Sequence, residues 1–280
     1  MNKKILVTGA AGQLGKTIEE LYKENDLKIE FVFFDKSNFD ITNKPQIDKI
    51  LKQQKFDYCI NCAAYTNVEQ AEKTPKVAYK INDEGVYNLA KACKDTNTVL
   101  IHVSTDYVFD GQKTDPYNES DVTNPINEYG ASKLKGEDNI IKILEKYFIV
   151  RTSWLYSNYG TNFKKTIIGL AEINNEIKVV SDQIGSPTNA RDLARFLIKI
   201  IITNSDKHGI YHYSNEGAIS RYEFAKEICQ LTKINTTITP SLSKNYKTIA
   251  VRPKYSVLCH KKSKEQYNLE IPKWKESLNQ

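Results

Sequence analysis

The sequence predicts an α/β protein built on a doubly wound parallel sheet, with a second, smaller α+β lobe. Short β-rich runs alternate with amphipathic helical segments through the first half of the chain, which is typical of a parallel sheet with crossover helices. A glycine-rich segment follows the first of these runs, and the alternation weakens after about residue 153. These three observations together predict a nucleotide-binding sheet followed by a less regular lobe.

Five β-rich runs are the candidate strands, and each is bounded by turn-forming residues or by a helical segment. They are Lys4–Thr8, Glu30–Phe34, Tyr58–Asn61, Val99–Ser104 and Phe148–Arg151. Between them lie segments in which apolar residues recur every three or four positions, as in amphipathic helices. These are Ile18–Lys23, Ile47–Gln53, Pro75–Cys93 and Tyr129–Leu144. Ligands of open parallel sheets bind beyond the carboxyl ends of the strands, so we expect the site there.

The second half has turn-rich stretches at Ser157–Gly160 and Asp182–Pro187 and two amphipathic helices near Asp192–Ile202 and Arg221–Leu231. No linker rich in Pro, Gly or Ser separates it from the first half. We therefore expect residues 1–153 to form the nucleotide-binding domain and residues 154–280 to form mainly the second lobe. The helix near 192–202 is expected to pack back on the first domain.

Composition excludes several classes of protein. The 280 residues carry 40 Lys plus Arg against 34 Asp plus Glu, a net charge of +6, but only five of the basic residues are arginine. Arginine is favoured in nucleic-acid recognition, so a lysine-rich excess without basic blocks indicates a solvated surface. No apolar run approaches the roughly 18 residues of a membrane span, and no signal-peptide pattern is present. We expect a cytoplasmic protein without nucleic-acid or membrane partners.

The five cysteines indicate buried thiols rather than a disulfide framework. Cys59 and Cys62 form a C-x-x-C, but they lie in an apolar run that is predicted to be a strand. Residues three apart in a strand face opposite sides and lie about 10 Å apart. That separation is too large for a disulfide.

A first chemical motif is the glycine loop Gly9, Gly12 and Gly15, which follows a predicted strand and opens a predicted helix. Glycines allow the backbone to approach a pyrophosphate, which the helix N-terminus stabilises. Asp35 ends the second strand 20 positions after Gly15, where a carboxylate binds an adenosine ribose. The adjacent Lys36 suits the 2′-phosphate of NADP, so the sequence predicts a Rossmann-type domain for NAD(H) or NADP(H) without choosing between them.

Two further motifs converge on the same predicted edge of the sheet. Tyr129 and Lys133 are four positions apart on a predicted helix, so their side chains lie on one face. A phenol has a pKa near 10, and a neighbouring ammonium would lower that pKa toward the range of a useful proton donor. The hydroxyls and carboxylates of Ser104–Gly111 follow a predicted strand. The three motifs predict one shared catalytic cleft.

These motifs resemble those of extended short-chain dehydrogenase/reductases, and finer features are similar to the dTDP-4-dehydrorhamnose reductase family over nearly the whole chain. The finer features are Gly12–Gly15, Asp40–Thr42, Asn61–Thr66, Arg151–Tyr156, Val179–Thr188 and Arg252-Pro253. The resemblance implies NAD(P)H-dependent reduction of the C4 ketone of dTDP-4-dehydro-L-rhamnose to dTDP-L-rhamnose, for surface polysaccharide.

The resemblance also implies roles for individual residues. Tyr129 donates the proton, Lys133 holds the nicotinamide ribose, and Thr105 hydrogen-bonds the ketone. Substrate-binding residues are Thr105, Asp106, Trp154 and Arg252. Cofactor-binding residues are Gly9, Gly12, Gln13, Leu14, Gly15, Asp35, Lys36, Asp40, Ile41, Ala63, Ala64, Tyr65, Tyr129 and Lys133.

No metal site is expected. Some members of the family form dimers through magnesium bound by a glutamate, and this chain has Thr17 at that position. His208 and His212 have no acidic or cysteine companions nearby, so an incidental pair is expected. Both a monomer and a homodimer stay open.

Other functions on the same fold stay open as well. Nucleotide-sugar epimerases and dehydratases share the fold, but dehydratases commonly carry Thr-Asp-Glu where this chain has Thr105-Asp106-Tyr107. The missing glutamate disfavours elimination. The alternatives are another nucleotide-sugar 4-ketoreductase or epimerase, and a non-catalytic NADP-binding subunit resembling the regulatory subunit of methionine adenosyltransferase.

Overall fold

The structure is a computed structural model that describes residues 3–24 and 29–279. The strands, in chain order, are β1 (Lys3–Thr8), β2 (Ile29–Phe34), β3 (Tyr58–Asn61), β4 (Val99–Thr105), β5 (Tyr147–Thr152), β6 (Leu155–Tyr156), β7 (Glu176–Val180), β8 (Ile184–Gly185), β9 (Thr188–Asn189), β10 (Gly209–His212), β11 (Ile219–Ser220) and β12 (Thr237–Ser241). The helices are α1 (Gln13–Glu24), α2 (Lys44–Gln54), α3 (Val68–Lys73), α4 (Pro75–Tyr79), α5 (Val86–Asp95), α6 (Glu128–Ile143), α7 (Phe163–Ile173), α8 (Ala190–Ile202), α9 (Arg221–Thr232), α10 (Lys261–Tyr267) and α11 (Trp274–Leu278).

Over the described residues, six strands form the central sheet in the order β10-β5-β4-β3-β1-β2, and each neighbouring pair is parallel. The predicted fold class is confirmed, and each of the five predicted strands lies within an observed one. Strand β2 lies on one side of β1 and β3 lies on the other, so the order in which strands are added to the sheet reverses between β1 and β3. Ligands bind at such a reversal, beyond the carboxyl ends of the strands.

Apolar side chains cover both faces of the sheet, as buried parallel strands require. On one face α1 and α8 pack side by side over a cluster that includes Ile5, Ile60 and Ile101. On the other face α2, α5 and α6 cover a cluster that includes Leu6 and Leu100. Helix α6, which carries Tyr129 and Lys133, is thereby fixed against the sheet.

The predicted helix Pro75–Cys93 contains a wider π-helical turn at Lys80–Gly85, between α4 and α5. This turn places the buried Asn82 between a loop and α6. Its side-chain amide accepts from Tyr65 N (2.8 Å) and donates to Tyr65 O (2.9 Å) and Ser132 Oγ (3.0 Å). Such insertions recur near functional sites because they re-aim side chains, and this one fixes the loop after β3.

The second lobe has its own apolar core, which is formed mainly by residues of β6, β7, α7, α9 and α11. Its members include Tyr156, Phe224 and Leu278. The division at residue 153 is only approximate. Helix α8 and strand β10 return to the first domain, where β10 pairs with β5 as the sixth strand of the sheet. Residues from Tyr267 to Ile271 also pack there.

All five cysteines are free. Cys59 and Cys62 pack on opposite faces of the sheet, as the strand geometry predicts. His212 is buried on β10 with Nδ1 3.1 Å from Tyr117 O, whereas the His208 ring packs on Phe148. Across residues 3–24 and 29–279, no three His, Cys, Asp or Glu side chains come together as a metal ion would require. No helix in the same ranges has an apolar stretch long enough to cross a bilayer.

Candidate active site

A cleft of about 580 Å³ opens at the carboxyl ends of the sheet strands, between the sheet and the second lobe. It brings together residues from all three predicted motifs. The predicted site residues that line it are Gly12, Gln13, Leu14, Ala64, Thr105, Asp106, Tyr129, Lys133 and Trp154. The sequence therefore predicted the place of the cleft and much of its lining.

The glycine loop packs closely against the loop after β3. Gly9 has a φ of +64°, and a Cβ there would lie 2.7 Å from Ala63 N, closer than real contacts allow. The loop is fixed to the end of β2 by a hydrogen bond from Ala10 N to Phe34 O (3.0 Å). Helix α1 begins at Gln13, so its N-terminal amides face the cleft. Free amides at a helix N-terminus bind anions, so this loop fits a dinucleotide.

Several predicted cofactor residues lie outside the lining of this cleft, namely Gly9, Gly15, Asp35, Lys36, Asp40, Ile41, Ala63 and Tyr65. Asp35 follows β2 and its Oδ1 accepts from Ser37 N (2.8 Å), while Lys36 is exposed. Asp40 Oδ1 accepts from Thr42 N (2.9 Å), and Ile41 is buried. A role for these residues in cofactor binding stays a prediction.

Tyr129 lies in the first turn of α6, whose N-terminus is capped by Asn127 Oδ1 accepting from Gly130 N (2.8 Å). Thr105 is within hydrogen-bonding reach of the phenol. Although part of the ring is exposed to the cleft, burial around the hydroxyl raises the pKa of Tyr129. The lowering by Lys133 expected from the sequence is not found in the protein alone. The phenol therefore carries its proton at neutral pH in the protein without ligands, as an unperturbed tyrosine also does.

Lys133 lies one turn further along α6 and is 2% exposed. Its Nζ donates to Val103 O (2.7 Å) and lies 3.1 Å from His102 Nε2. Burial lowers the pKa of Lys133 to about 8, against the opposing attraction of Glu137. Glu137 is itself paired with the buried Arg151, whose Nη2 lies 2.6 Å from Oε2. Lys133 can therefore change protonation state near neutral pH.

Thr105 and Asp106 follow β4 directly. The Thr105 hydroxyl donates to Asp106 Oδ1 (3.0 Å), and burial raises the pKa of Asp106 to about 6, against hydrogen bonds from Ser256 and Thr105. Within the described ranges, the buried Ser104 Oγ has no hydrogen-bond partner although it lines the cleft. An unpartnered buried hydroxyl indicates a place for a polar ligand.

Trp154 lines the opposite wall, and its backbone has a φ of +45°. A Cβ on Gly185 would lie 2.6 Å from Trp154 Cε2, so only glycine allows the indole this position. Arg221 stacks on the indole, with Cζ 4.1 Å from a ring centroid. These contacts explain why the motif around Gly185, remote in sequence, belongs to the site.

Arg252 is not in the cleft. It lines an adjoining groove of about 940 Å³ and is paired with Glu69, with Nη2 2.7 Å from Oε1. The groove shares Arg221 and Tyr107 with the cleft, so the two are continuous.

Sequence reasoning missed the loop that closes the cleft on the cofactor side. Asn162 Nδ2 (2.9 Å) and Ser157 Oγ (3.1 Å) both donate to Gln13 Oε1, so the second lobe is tied to the glycine loop. The turn residues Ser157–Gly160 indicate a loop, but nothing in them indicates that the loop contacts Gln13. Arg221 was also missed, although Ser220 and Glu223 form a readable capping box that places it at a helix start.

The comparisons with known proteins agree with this geometry. The chain matches a family model described as "RmlD substrate binding domain" over residues 3–280. It is 39% identical to a dTDP-4-dehydrorhamnose reductase of Aggregatibacter actinomycetemcomitans, over 98% of this chain and 97% of that protein. It is 34% identical to a dTDP-4-keto-6-deoxy-D-glucose reductase of Streptomyces niveus, over 100% and 96%.

Among solved structures, it resembles the dTDP-4-dehydrorhamnose reductase of Bacillus anthracis in complex with NADP, with a TM-score of 0.95 and 42% identity over 99% of this chain and 98% of that one. The resemblance predicted from the motifs is confirmed. The chain belongs to the dTDP-4-dehydrorhamnose reductase family of extended short-chain dehydrogenase/reductases.

Proposed function

We propose that this protein reduces the C4 ketone of dTDP-4-dehydro-L-rhamnose with NADPH or NADH, giving dTDP-L-rhamnose for surface polysaccharide. The observation that carries the proposal is the convergence of Tyr129, Thr105 and Lys133 on one cleft with the glycine loop. The names of the relatives support the same reaction.

In the proposed mechanism the chain positions the ketone and supplies a proton. Bound NADPH supplies a hydride to the ketone carbon. Thr105 hydrogen-bonds the ketone oxygen, and Tyr129 transfers its phenolic proton to that oxygen as negative charge develops there. Lys133 holds the ribose and, as an ammonium, gives Tyr129 a proton to replace the one it has lost. The glycine loop and the residues predicted with it hold the dinucleotide.

The nucleotide end of the substrate is proposed to occupy the adjoining groove. Arg221, Lys244, Arg252 and Lys254 line it, and their charge suits a diphosphate. Trp154 and Asp106, in the cleft, then face the sugar. On this proposal residues 154–280 form mainly the substrate lobe, apart from α8 and β10.

Cofactor preference and surroundings are also proposals. Asp35 suits the adenosine ribose of NADH, and the exposed Lys36 suits the 2′-phosphate of NADPH. We propose that the protein acts in the cytoplasm, where NADPH is regenerated, as a monomer or homodimer without nucleic-acid or membrane partners.

A second candidate substrate is a different 4-keto sugar nucleotide, because one relative is named a dTDP-4-keto-6-deoxy-D-glucose reductase. The test is NADPH and NADH oxidation across a panel of 4-keto nucleotide sugars. We expect the highest kcat/KM with dTDP-4-dehydro-L-rhamnose. A higher value with another ketone would reassign the substrate, and no oxidation with any ketone would favour an epimerase that recycles its nicotinamide or a non-catalytic NADP-binding subunit.

A further inference from the structure

A row of three buried polar side chains crosses the sheet beneath Lys133. Thr8, Asn61 and His102 are directly opposite one another on β1, β3 and β4, and each is no more than 1% exposed. Their neighbours on that face, such as Leu6 and Leu100, are apolar. Polar groups in such a core are costly unless they are satisfied. We call these three residues the polar row.

The orientation of Asn61 is fixed by a backbone group. The N–H of Ala63 lies 3.2 Å from Asn61 Oδ1, and the Thr8 hydroxyl lies 2.6 Å from the same oxygen. A backbone N–H can only donate, so the atom of Asn61 that faces it is the oxygen. The side-chain NH₂ of Asn61 therefore faces the other way, 2.9 Å from His102 Nδ1.

This orientation determines the tautomer of His102. Because the Asn61 amide donates to Nδ1, that nitrogen accepts and the ring proton lies on Nε2. Burial, with the nearby charge of Lys133, holds the pKa of His102 well below its usual value, so the ring is neutral. The Nε2–H points at Lys133 Nζ, 3.1 Å away. An ammonium has no lone pair to accept this hydrogen bond, whereas a neutral amine does.

We propose that Thr8, Asn61 and His102 position Lys133 and favour its neutral amine form in the enzyme without ligands. When Lys133 takes up a proton, His102 Nε2 must accept, its proton must move to Nδ1, and Asn61 must turn over. The Ala63 N–H then loses its acceptor on Asn61. The polar row thus links the loop after β3, at Ala63, to the protonation state of Lys133.

The role of the polar row in catalysis rests on the proposed function. When Tyr129 has given its proton to the ketone, an N–H bond of the Lys133 ammonium breaks and the Tyr129 O–H bond forms again. Lys133 is left as the amine that His102 stabilises, and solvent supplies the next proton. His102 is on this account a positioning residue, because it acts through Lys133.

Other groups around Lys133 do not replace this effect. Glu137, on the same helix, favours the ammonium, but its charge is paired with Arg151. Burial raises the pKa of Cys62 to about 12, so it faces Lys133 as a neutral thiol. Tyr129, one turn earlier, is also neutral because its pKa is raised.

The test measures the titration of Lys133 itself, without cofactor or sugar, so its outcome does not depend on the proposed reaction. The ¹³Cε resonance of Lys133 in labelled protein, identified by its loss in Lys133→Met, is followed with pH. His102→Gln can offer a carbonyl to the ammonium, and Asn61→Leu frees His102 without adding charge. We expect both changes to raise the midpoint by one pH unit or more, a tenfold change in proton affinity.

Thr98→Val is the matched control, because it removes a buried hydroxyl that donates to Phe56 O (2.9 Å) outside the polar row. We expect it to leave the midpoint unchanged. An unchanged midpoint in both His102→Gln and Asn61→Leu overturns the proposal, and so does an equal shift in Thr98→Val. The parent protein supplies a check without core variants: ¹⁵N shifts of His102 must report the Nε2–H tautomer above the midpoint of Lys133 and the Nδ1–H tautomer below it, and a tautomer that does not change across that midpoint contradicts the proposal.

Discussion

The guanidinium carbon of Arg221 lies 4.1 Å from a Trp154 ring centroid. This stack stands where the catalytic cleft meets the adjoining groove, since Arg221 lines both. The indole lies so close to Gly185 that a Cβ there would be 2.6 Å from Trp154 Cε2. Arg221 therefore has two roles in the proposed site. It orients the Trp154 ring against the sugar, and its charge lies near the position proposed for the diphosphate.

Arg221→Ala is expected to weaken sugar-nucleotide binding selectively. Loss of the stack costs about 1–2 kcal/mol, and loss of a charge near a diphosphate adds to this, so KM for the sugar nucleotide should rise about tenfold or more. Steady-state kinetics and NADPH titration measure the two effects separately. The Kd for NADPH should stay unchanged, and Lys226→Ala, an exposed cation on the same helix, should behave as the parent. An unchanged KM in Arg221→Ala would remove Arg221 from the substrate site.

Tyr129→Phe is expected to lower kcat by at least a hundredfold, because it removes the acidic hydroxyl. The ring and its edge-to-face contact with Tyr107, at a centroid distance of 6.0 Å, are retained. Kinetics with saturating substrate measure the loss, and NADPH binding followed by fluorescence is expected to be normal. Turnover near that of the parent would exclude Tyr129 as the proton donor.

Asn82→Leu is expected to destabilise the protein by about 2–3 kcal/mol. The change removes the side-chain amide from three hydrogen bonds and leaves its partners on Tyr65 and Ser132 without that amide. It should also lower kcat, since Asn82 ties the loop at Tyr65 to Ser132 on α6, the helix that carries the proposed proton donor. Urea unfolding measures the stability. The exposed Asn174, which donates to Leu170 O, is the control, and Asn174→Ala should stay within about 0.5 kcal/mol of the parent. Equal effects of the two changes would contradict this role of Asn82.

The stability of the protein without ligands is expected to depend on Lys133 in alkaline solution. Its pKa is lowered to about 8 in the folded state, against about 10.4 in an unfolded chain. Below pH 8 the lysine is charged in both states and its burial penalty is present. Between pH 8 and 10.4 only the unfolded state holds the proton, so stability rises with pH through this window.

Urea unfolding from pH 7 to 10.4 measures this gain against Lys133→Met, in which it is absent. The parent should gain about 3 kcal/mol relative to the variant. A difference between the two proteins that does not change with pH would mean that Lys133 titrates as an exposed lysine does.

The sequence allowed the sheet and the centre of the site to be predicted because both depend on local patterns. Strand runs, the glycine loop and the Tyr129–Lys133 spacing are each read within a few residues. Strand β10 was not assigned to the sheet because its partner β5 is some sixty positions away. Pairing over such distances is not recorded in local periodicity.

The rest of the site depends on contacts between distant segments. Asn82 lies in a pattern that predicts an ordinary helix, and only the π-helical turn directs its side chain to Tyr65. Arg221 and Trp154 meet because Gly185 leaves room for the indole. Arg252 has the charge expected of a phosphate ligand, but the fold places it beside Glu69 in the adjoining groove.

In the proposed reaction a hydride passes from a nicotinamide cofactor to C4 of a dTDP-4-keto sugar while Tyr129 supplies the proton. The most direct test uses NADPH carrying deuterium at the transferable position of its nicotinamide ring, with dTDP-4-dehydro-L-rhamnose and the purified protein. Mass spectrometry and NMR of the product locate the label. We predict one deuterium at C4 of dTDP-L-rhamnose for each NADPH oxidised, whereas a product without deuterium at C4, or no oxidation of NADPH, would contradict this reaction.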